Sequence, residues 1–97
     1  MAISLLDAAE LAELKRELAD WELTPDGKAI VRSFKFRDFV EAFAFMTRVA
    51  VLAEEQDHHP EWRNVWNQVD VLLTTHDADG VTARDVALAR AMDTAAG

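Results

Sequence analysis

Trp21-Glu22-Leu23-Thr24-Pro25-Asp26-Gly27-Lys28-Ala29-Ile30-Val31-Arg32-Ser33-Phe34-Lys35-Phe36 is the stretch whose reading decides the fold. Two extended arms, Trp21 to Thr24 and Ala29 to Phe36, flank Pro25-Asp26-Gly27-Lys28. Proline presets φ for a turn and glycine accepts a positive φ, so the stretch reads as a β-hairpin. In the second arm Ile30, Phe34 and Phe36 share one face with Arg32, which makes the alternation imperfect. A second pair of extended segments follows Pro60: Trp62 to Trp66 and Val69 to Thr75, joined around Asn67. Val69, Val71 and Leu73 point to one face, and Asp70, Leu72 and Thr74 to the other. On this reading Trp62 and Trp66, four residues apart, lie on the same strand face.

Helical patterns surround and separate the two hairpins. From Ser4 to Asp20, Leu6, Ala9, Leu11, Leu14 and Leu18 recur at three- and four-residue steps among charged positions. Asp38-Phe39-Val40-Glu41 has the spacing of a capping box and opens a helix that runs to about Gln56. Phe39, Phe43, Met46, Ala50 and Ala53 form a stripe expected to be buried, and Phe45, Val49 and Leu52 widen it. This helix is therefore expected to be covered on more than one side. Gly80 breaks the chain, Thr82 is placed as an N-cap, and Val81 and Val86 are spaced as a hydrophobic staple for a helix over residues 82–95. The order is α-β-β-α-β-β-α. It predicts one α+β domain over residues 1–97, a four-stranded antiparallel sheet with three helices on one face.

The composition limits the partners. Among 97 residues the apolar fraction is 51% and the charged fraction 29%, enough apolar surface to form a core and escape disorder. The apolar run around Phe43 to Ala53 is interrupted by Arg48 and is too short to span a membrane, which takes about 18 residues. A formal charge of −8 argues against nucleic acid as a partner. The balance is positive only between residues 28 and 48. There Lys28, Arg32, Lys35, Arg37 and Arg48 outnumber Asp38 and Glu41, a strip read as solvated strand and helix-end charges. No secretion signal precedes Asp7, so the expected location is cytoplasmic. The absence of cysteine excludes disulfides, thiolate nucleophiles and thiolate-bound zinc.

The chemistry that remains is that of imidazole. His58 and His59 lie between a helix end and a strand start, and His76 lies just beyond the last strand. Segments at the ends of elements commonly carry function, and imidazole titrates near neutrality. Glu54 lies one helical turn before His58, and Asp57, Asp77 and Asp79 are close by. No two histidines are spaced i, i+4, and the neighbouring pair diverges in an extended backbone, so no metal centre is expected. Neither a glycine-rich phosphate loop nor a nucleophile elbow occurs. Trp62 and Trp66 bracket the segment between the histidine pair and His76, where a flat aromatic can stack on a flat heterocycle.

These residues carry a family resemblance. Glu54, three residues, His58-His59-Pro60, five residues, Trp66, nine residues, His76, eight residues, Asp85: the spacing resembles the signature of pterin-4a-carbinolamine dehydratases. Asp57 to Trp62, Asn64-Val65-Trp66-Asn67 and Thr74-Thr75-His76-Asp77 are similar to further motifs of that family. So are Phe34 to Phe39 and Phe45 to Ala50. Two departures stand out. Asp79-Gly80 replaces the two glycines that members often carry, and Trp66 stands where many members have tyrosine.

The resemblance implies a hydro-lyase that removes water from 4a-hydroxytetrahydropterin to give quinonoid dihydropterin, in the recycling of tetrahydropterin, with no cofactor. It implies His58 and His76 as the acid/base pair and Glu54 as the group that orients or tunes them. His59 would position the pterin, together with Pro60, Trp62, Trp66, Thr75 and Asp77 of the matched motifs. Asp85 is read as structural, at a helix N-terminus where an anion is favoured. The resemblance also implies a homo-oligomer, dimer or tetramer, and an aromatic amino-acid hydroxylase as pathway partner. A non-catalytic interaction module of the same fold, a dimerisation cofactor or assembly chaperone, is the alternative.

Overall fold

The computed structural model describes residues 3–97. The elements are α1 (Ala8–Glu17), β1 (Glu22–Leu23), β2 (Ile30–Lys35), α2 (Phe39–Gln56), β3 (Glu61–Val65), β4 (Gln68–Leu73) and α3 (Ala83–Ala96). A single 3-10 turn, His76–Ala78, lies between β4 and α3. The strands form one antiparallel sheet in the order β1-β2-β4-β3, so β1 and β3 are its edges. The expected α+β order and sheet are both present.

Register puts Ile30, Phe34, Val69, Val71 and Leu73 on one face, where they are buried with Phe45 and Val49 of α2 and Leu88 and Met92 of α3. Arg32 also lies on that face, opposite Val71. Its guanidinium stands 4.1 Å over the Phe34 ring and donates to Asp93 Oδ1 at 2.6 Å, while Trp21 donates its indole N–H to the same oxygen. A cation is tolerated there because it is paired and stacked. Three other cations of the central strip are also engaged: Lys28 with Asp79, Arg37 with Asp38 and Glu41, and Arg48 with the carbonyl of Ala95.

Several boundaries differ from the sequence reading. Helix α1 begins after Asp7 rather than at Ser4, because Asp7 and Glu10 close a capping box there. Leu5 and Leu6 are drawn away instead, Leu5 bridging Thr82 and the Leu6 amide donating to the Val81 carbonyl. A Cβ at Gly80 would stand 2.7 Å from Leu5 Cδ2, so a larger residue there would turn the exposed Leu5 side chain aside. At α2, Asp38 caps the Glu41 amide, but Glu41 turns to the Arg37 amide instead of completing the box.

The expected stripe on α2 is displaced by about a quarter turn. Ala42, Phe45, Val49 and Ala53 are buried, Met46 and Leu52 are half-buried, and Phe39, Phe43 and Ala50 face solvent with Val40 and Val51. Apolar residues encircle this helix, so periodicity alone does not choose the inward face. The last hairpin is also shorter than expected. Trp66 is not in β3 but begins the two-residue turn to β4, with φ 49 and its side chain largely in water. Trp62 alone packs on the core face.

Candidate functional site

The chain leaves α2 through Asp57, which caps it in the left-handed conformation at φ 51. That turn, held by the Asp57 and His58 amides on Glu54 and Ala53 carbonyls, sends the two following histidines apart. His58 goes inward and is 8% exposed, while His59 stays in solvent. His58 Nε2 lies 2.6 Å from Asp85 Oδ1. Asp85 has no exposed surface, and its Oδ2 accepts from the Thr75 hydroxyl at 2.9 Å and the Thr82 amide at 2.9 Å. The Thr75 and Thr82 hydroxyls meet at 2.7 Å. The Nε2–H tautomer of His58 satisfies this contact when Asp85 accepts through Oδ1, and it leaves Nδ1 without a proton.

The other two imidazoles are also on carboxylates, in water. His59 Nε2 is 2.5 Å from Glu54 Oε1. His76 Nε2 is 3.1 Å from Glu61 Oε2, and its side chain is 82% exposed. The loop that carries His76 is closed by Thr75 and Gly80, which exchange main-chain hydrogen bonds. Asp79 takes φ 56 at its end and ties it to the first hairpin through Lys28 at 3.0 Å. Aspartate accepts that backbone more readily than most residues, so the departure from the two-glycine pattern is accommodated.

All three histidines line one cavity of about 250 Å³, together with Thr75, Asp77 and Arg84. A larger cleft of about 580 Å³ lies over the outer face of the sheet, among Val31, Ser33, Arg63 and Asp70. It is lined by no imidazole. Asp70 on that outer face has its carboxyl held below the usual carboxylate range by hydrogen bonds from Ser33 and Gln68. Among the described residues no group of three or more histidines and carboxylates has the geometry to hold a metal ion.

The placement of the sequence candidates is uneven. His58, His59, His76, Thr75 and Asp77 converge on the cavity. Pro60 is half-buried where the chain enters β3. Glu54 bonds His59 and neither member of the expected acid/base pair. Trp62 is turned to the core, and Trp66 lies at the opposite end of β3 from Glu61, roughly 16 Å away at strand rise. Asp85 is more than a helix cap, because the same carboxylate that completes the box with Thr82 also holds His58. Glu61 carries no local signal, and only the fold brings it to His76.

The model of the family described as Pterin 4 alpha carbinolamine dehydratase matches residues 4–95. The chain belongs to that family. A dehydratase-family relative from Novosphingobium aromaticivorans, named "Putative pterin-4-alpha-carbinolamine dehydratase", is 57% identical over 93 residues, 96% of this chain and 97% of its own. A relative of the same name from Mesorhizobium japonicum is 65% identical over 77 residues, 79% of each chain. A crystal structure from Brucella melitensis, described as transcriptional coactivator/pterin dehydratase, is similar with a TM-score of 0.92 and 48% identity. It covers 96% of this chain and 99% of that one. The family's three-helix, four-stranded architecture is thus shared over nearly the whole molecule.

Proposed function

We propose that this protein is a 4a-hydroxytetrahydropterin dehydratase, a hydro-lyase that works by histidine acid/base catalysis in tetrahydropterin recycling. The observation that carries the reading is three imidazoles on one cavity, each with a carboxylate of its own. In the reaction the C4a–O bond breaks and the hydroxyl leaves as water after taking a proton. The N5–H proton is removed, and its electron pair becomes the C4a–N5 double bond. Atoms and electrons balance with one acid and one base. His58 and His76 are assigned that pair. Asp85 fixes the His58 ring with Nδ1 as its basic position, and His76 stands at the mouth where it exchanges protons with water. His59, held by Glu54, positions the pterin with Thr75 and Asp77.

The setting we propose is cytoplasmic, beside an aromatic amino-acid hydroxylase that supplies the carbinolamine. No helix among the described residues is long and apolar enough to cross a membrane. We also propose a two-fold homo-oligomer, supported by the solvent-facing Phe39, Val40, Phe43 and Val51 on α2 and by the open edge of β3. The same apolar face of α2 favours a second reading, a non-catalytic module that docks a partner protein.

The deciding experiment is a dehydration assay on the purified protein with a 4a-hydroxytetrahydropterin. Enzyme-dependent loss of the carbinolamine above the spontaneous rate is expected. A protein that binds partners but leaves that rate unchanged belongs to the second reading.

A further inference from the structure

His58 is the most deeply set of the three imidazoles, and the carboxylate that holds it is itself held. Thr75 follows β4 and Thr82 caps α3, and neither has more than 2% of its surface exposed. Their hydroxyls meet at 2.7 Å, a contact in which either oxygen could donate. The surroundings decide the direction. The Thr75 hydroxyl also lies 2.9 Å from Asp85 Oδ2, and a hydroxyl has a single proton to give. That proton goes to the carboxylate, so the Thr75 oxygen accepts from Thr82. With its own proton spent on Thr75, the Thr82 oxygen accepts the main-chain N–H of Arg84 at 3.2 Å.

Every group in this row then has one orientation. The Arg84 amide donates to Thr82, Thr82 to Thr75 and Thr75 to Asp85, while His58 Nε2 meets the other carboxylate oxygen. No buried side-chain nitrogen or oxygen among the described residues lacks a partner. A buried network with every member satisfied holds one geometry, because reversing any bond strands a donor or an acceptor away from water.

The alternatives can be followed atom by atom. A proton on Asp85 Oδ2 would face two donors, the Thr75 hydroxyl and the Thr82 amide, and the amide cannot turn away. A proton on Oδ1 would make His58 Nε2 the acceptor and move the imidazole proton to Nδ1. That nitrogen makes no hydrogen bond among the described residues. Thr75 lines the histidine cavity, but its hydroxyl is committed to Asp85, so that group serves His58 rather than a ligand.

We infer that Thr82 and Thr75 are positioning residues, whose hydroxyls form a one-way chain onto Asp85 that keeps the His58 proton on Nε2 and leaves Nδ1 free to accept one. The use made of that nitrogen rests on the pterin reading, but the direction of the chain does not.

The discriminating variant is Thr75→Val. It keeps the side-chain shape, removes the hydroxyl and leaves the Thr82 cap of α3 in place, since the Thr75 side chain caps nothing in the turn that follows it. The first measurement is nitrogen-15 NMR of the labelled imidazoles, recorded on the alkaline side of their titration. In wild type the His58 proton should be on Nε2 alone. Thr75→Val should give a detectable fraction of the Nδ1–H form, and Thr75→Ser should restore the wild-type spectrum. Signals of the exposed His59 and His76 should stay where they are. A His58 proton on Nδ1 in wild type overturns the inference, and that test stands even where the valine variant does not fold. A folded Thr75→Val protein with the wild-type His58 spectrum overturns it too.

The second measurement is dehydration kinetics. Thr75→Val should lower kcat by about 10- to 100-fold with KM within about twofold, as expected of a group that acts through the base. In a His58→Ala background the same substitution should cost nothing further. Equal losses of kcat in the two backgrounds mark a general structural defect and overturn the positioning role. A wild type that does not accelerate dehydration, with the tautomers as expected, refutes the pterin reading and leaves the hydroxyl chain standing.

Discussion

His58 and His76 carry the same chemistry, imidazole on carboxylate, in opposite solvents. The His58–Asp85 pair is out of water, at 2.6 Å, with both Asp85 oxygens accepting from protein donors. The His76–Glu61 pair is 3.1 Å long between side chains that are 82% and 57% exposed. Removing one partner of the first leaves buried polar groups with nothing to replace it, and that costs stability. Removing one partner of the second lets water take over. The first pair is therefore fixed in place, and the second is free to move in solvent.

The largest expected effect comes from breaking the buried pair. Asp85→Ala strips His58, Thr75 and Thr82 of a shared acceptor and removes the N3 half of the capping box of α3. A loss of about 3–5 kcal/mol is expected in urea unfolding. Glu61→Ala, the matching change at the exposed pair, should cost less than about 1 kcal/mol. Equal losses at the two positions would refute the contrast.

Next come the single histidines, read by steady-state kinetics of carbinolamine dehydration. His58→Ala and His76→Ala should each lower kcat by about 10²- to 10⁴-fold with little change in KM. His59→Ala should instead raise KM, by about tenfold, and leave kcat within a few-fold, since His59 is assigned binding rather than proton transfer. A chelator should leave turnover unchanged. Wild-type turnover in the His58→Ala, His76→Ala double variant would end the acid/base assignment.

The smallest effect is one of pH on the sheet's outer face. Asp70 titrates below its ordinary 3.8 because Ser33 and Gln68 donate to its charged form. A depressed native pKa stabilises the fold above the unfolded pKa, and the contribution fades as pH falls through the native one. Ser33→Ala should therefore lower stability by under about 1 kcal/mol at pH 6. The difference from wild type should fade as pH falls below 3.8 and through the depressed native value. A difference that instead grows on acidification would give the opposite sign and rule out the carboxylate as its cause.

Much of the architecture is legible along the chain because its signals are local. Gly27 takes φ 72 in the turn where proline and glycine announced one, and Thr82 caps α3 as its spacing implied. The failures have local causes too. Helix α2 is apolar around most of its circumference, so the stripe through Phe39 and Phe43 was as plausible as the one through Ala42, Phe45 and Val49 that the core selected. Trp66 was assigned to a strand because nothing beside it marks a turn with glycine or proline.

The candidate site divides in the same way. The three histidines stand out from the sequence by type and position, and their spacing with Glu54, Trp66 and Asp85 carries the family resemblance. Which carboxylate each imidazole would meet does not follow from that spacing. Glu54 is one turn from His58 on the helix, yet the left-handed Asp57 swings His58 inward and leaves His59 to Glu54. Asp85 is 27 residues from His58 and Glu61 is 15 from His76, so only the packing of α3 on the sheet and the closure of the last loop bring them together. Turn chemistry, capping and periodicity are fixed by neighbours a few residues away, and the sequence determines them alone. A hydrogen-bonded site made from distant segments depends on where every intervening element comes to rest, and that is decided in tertiary structure.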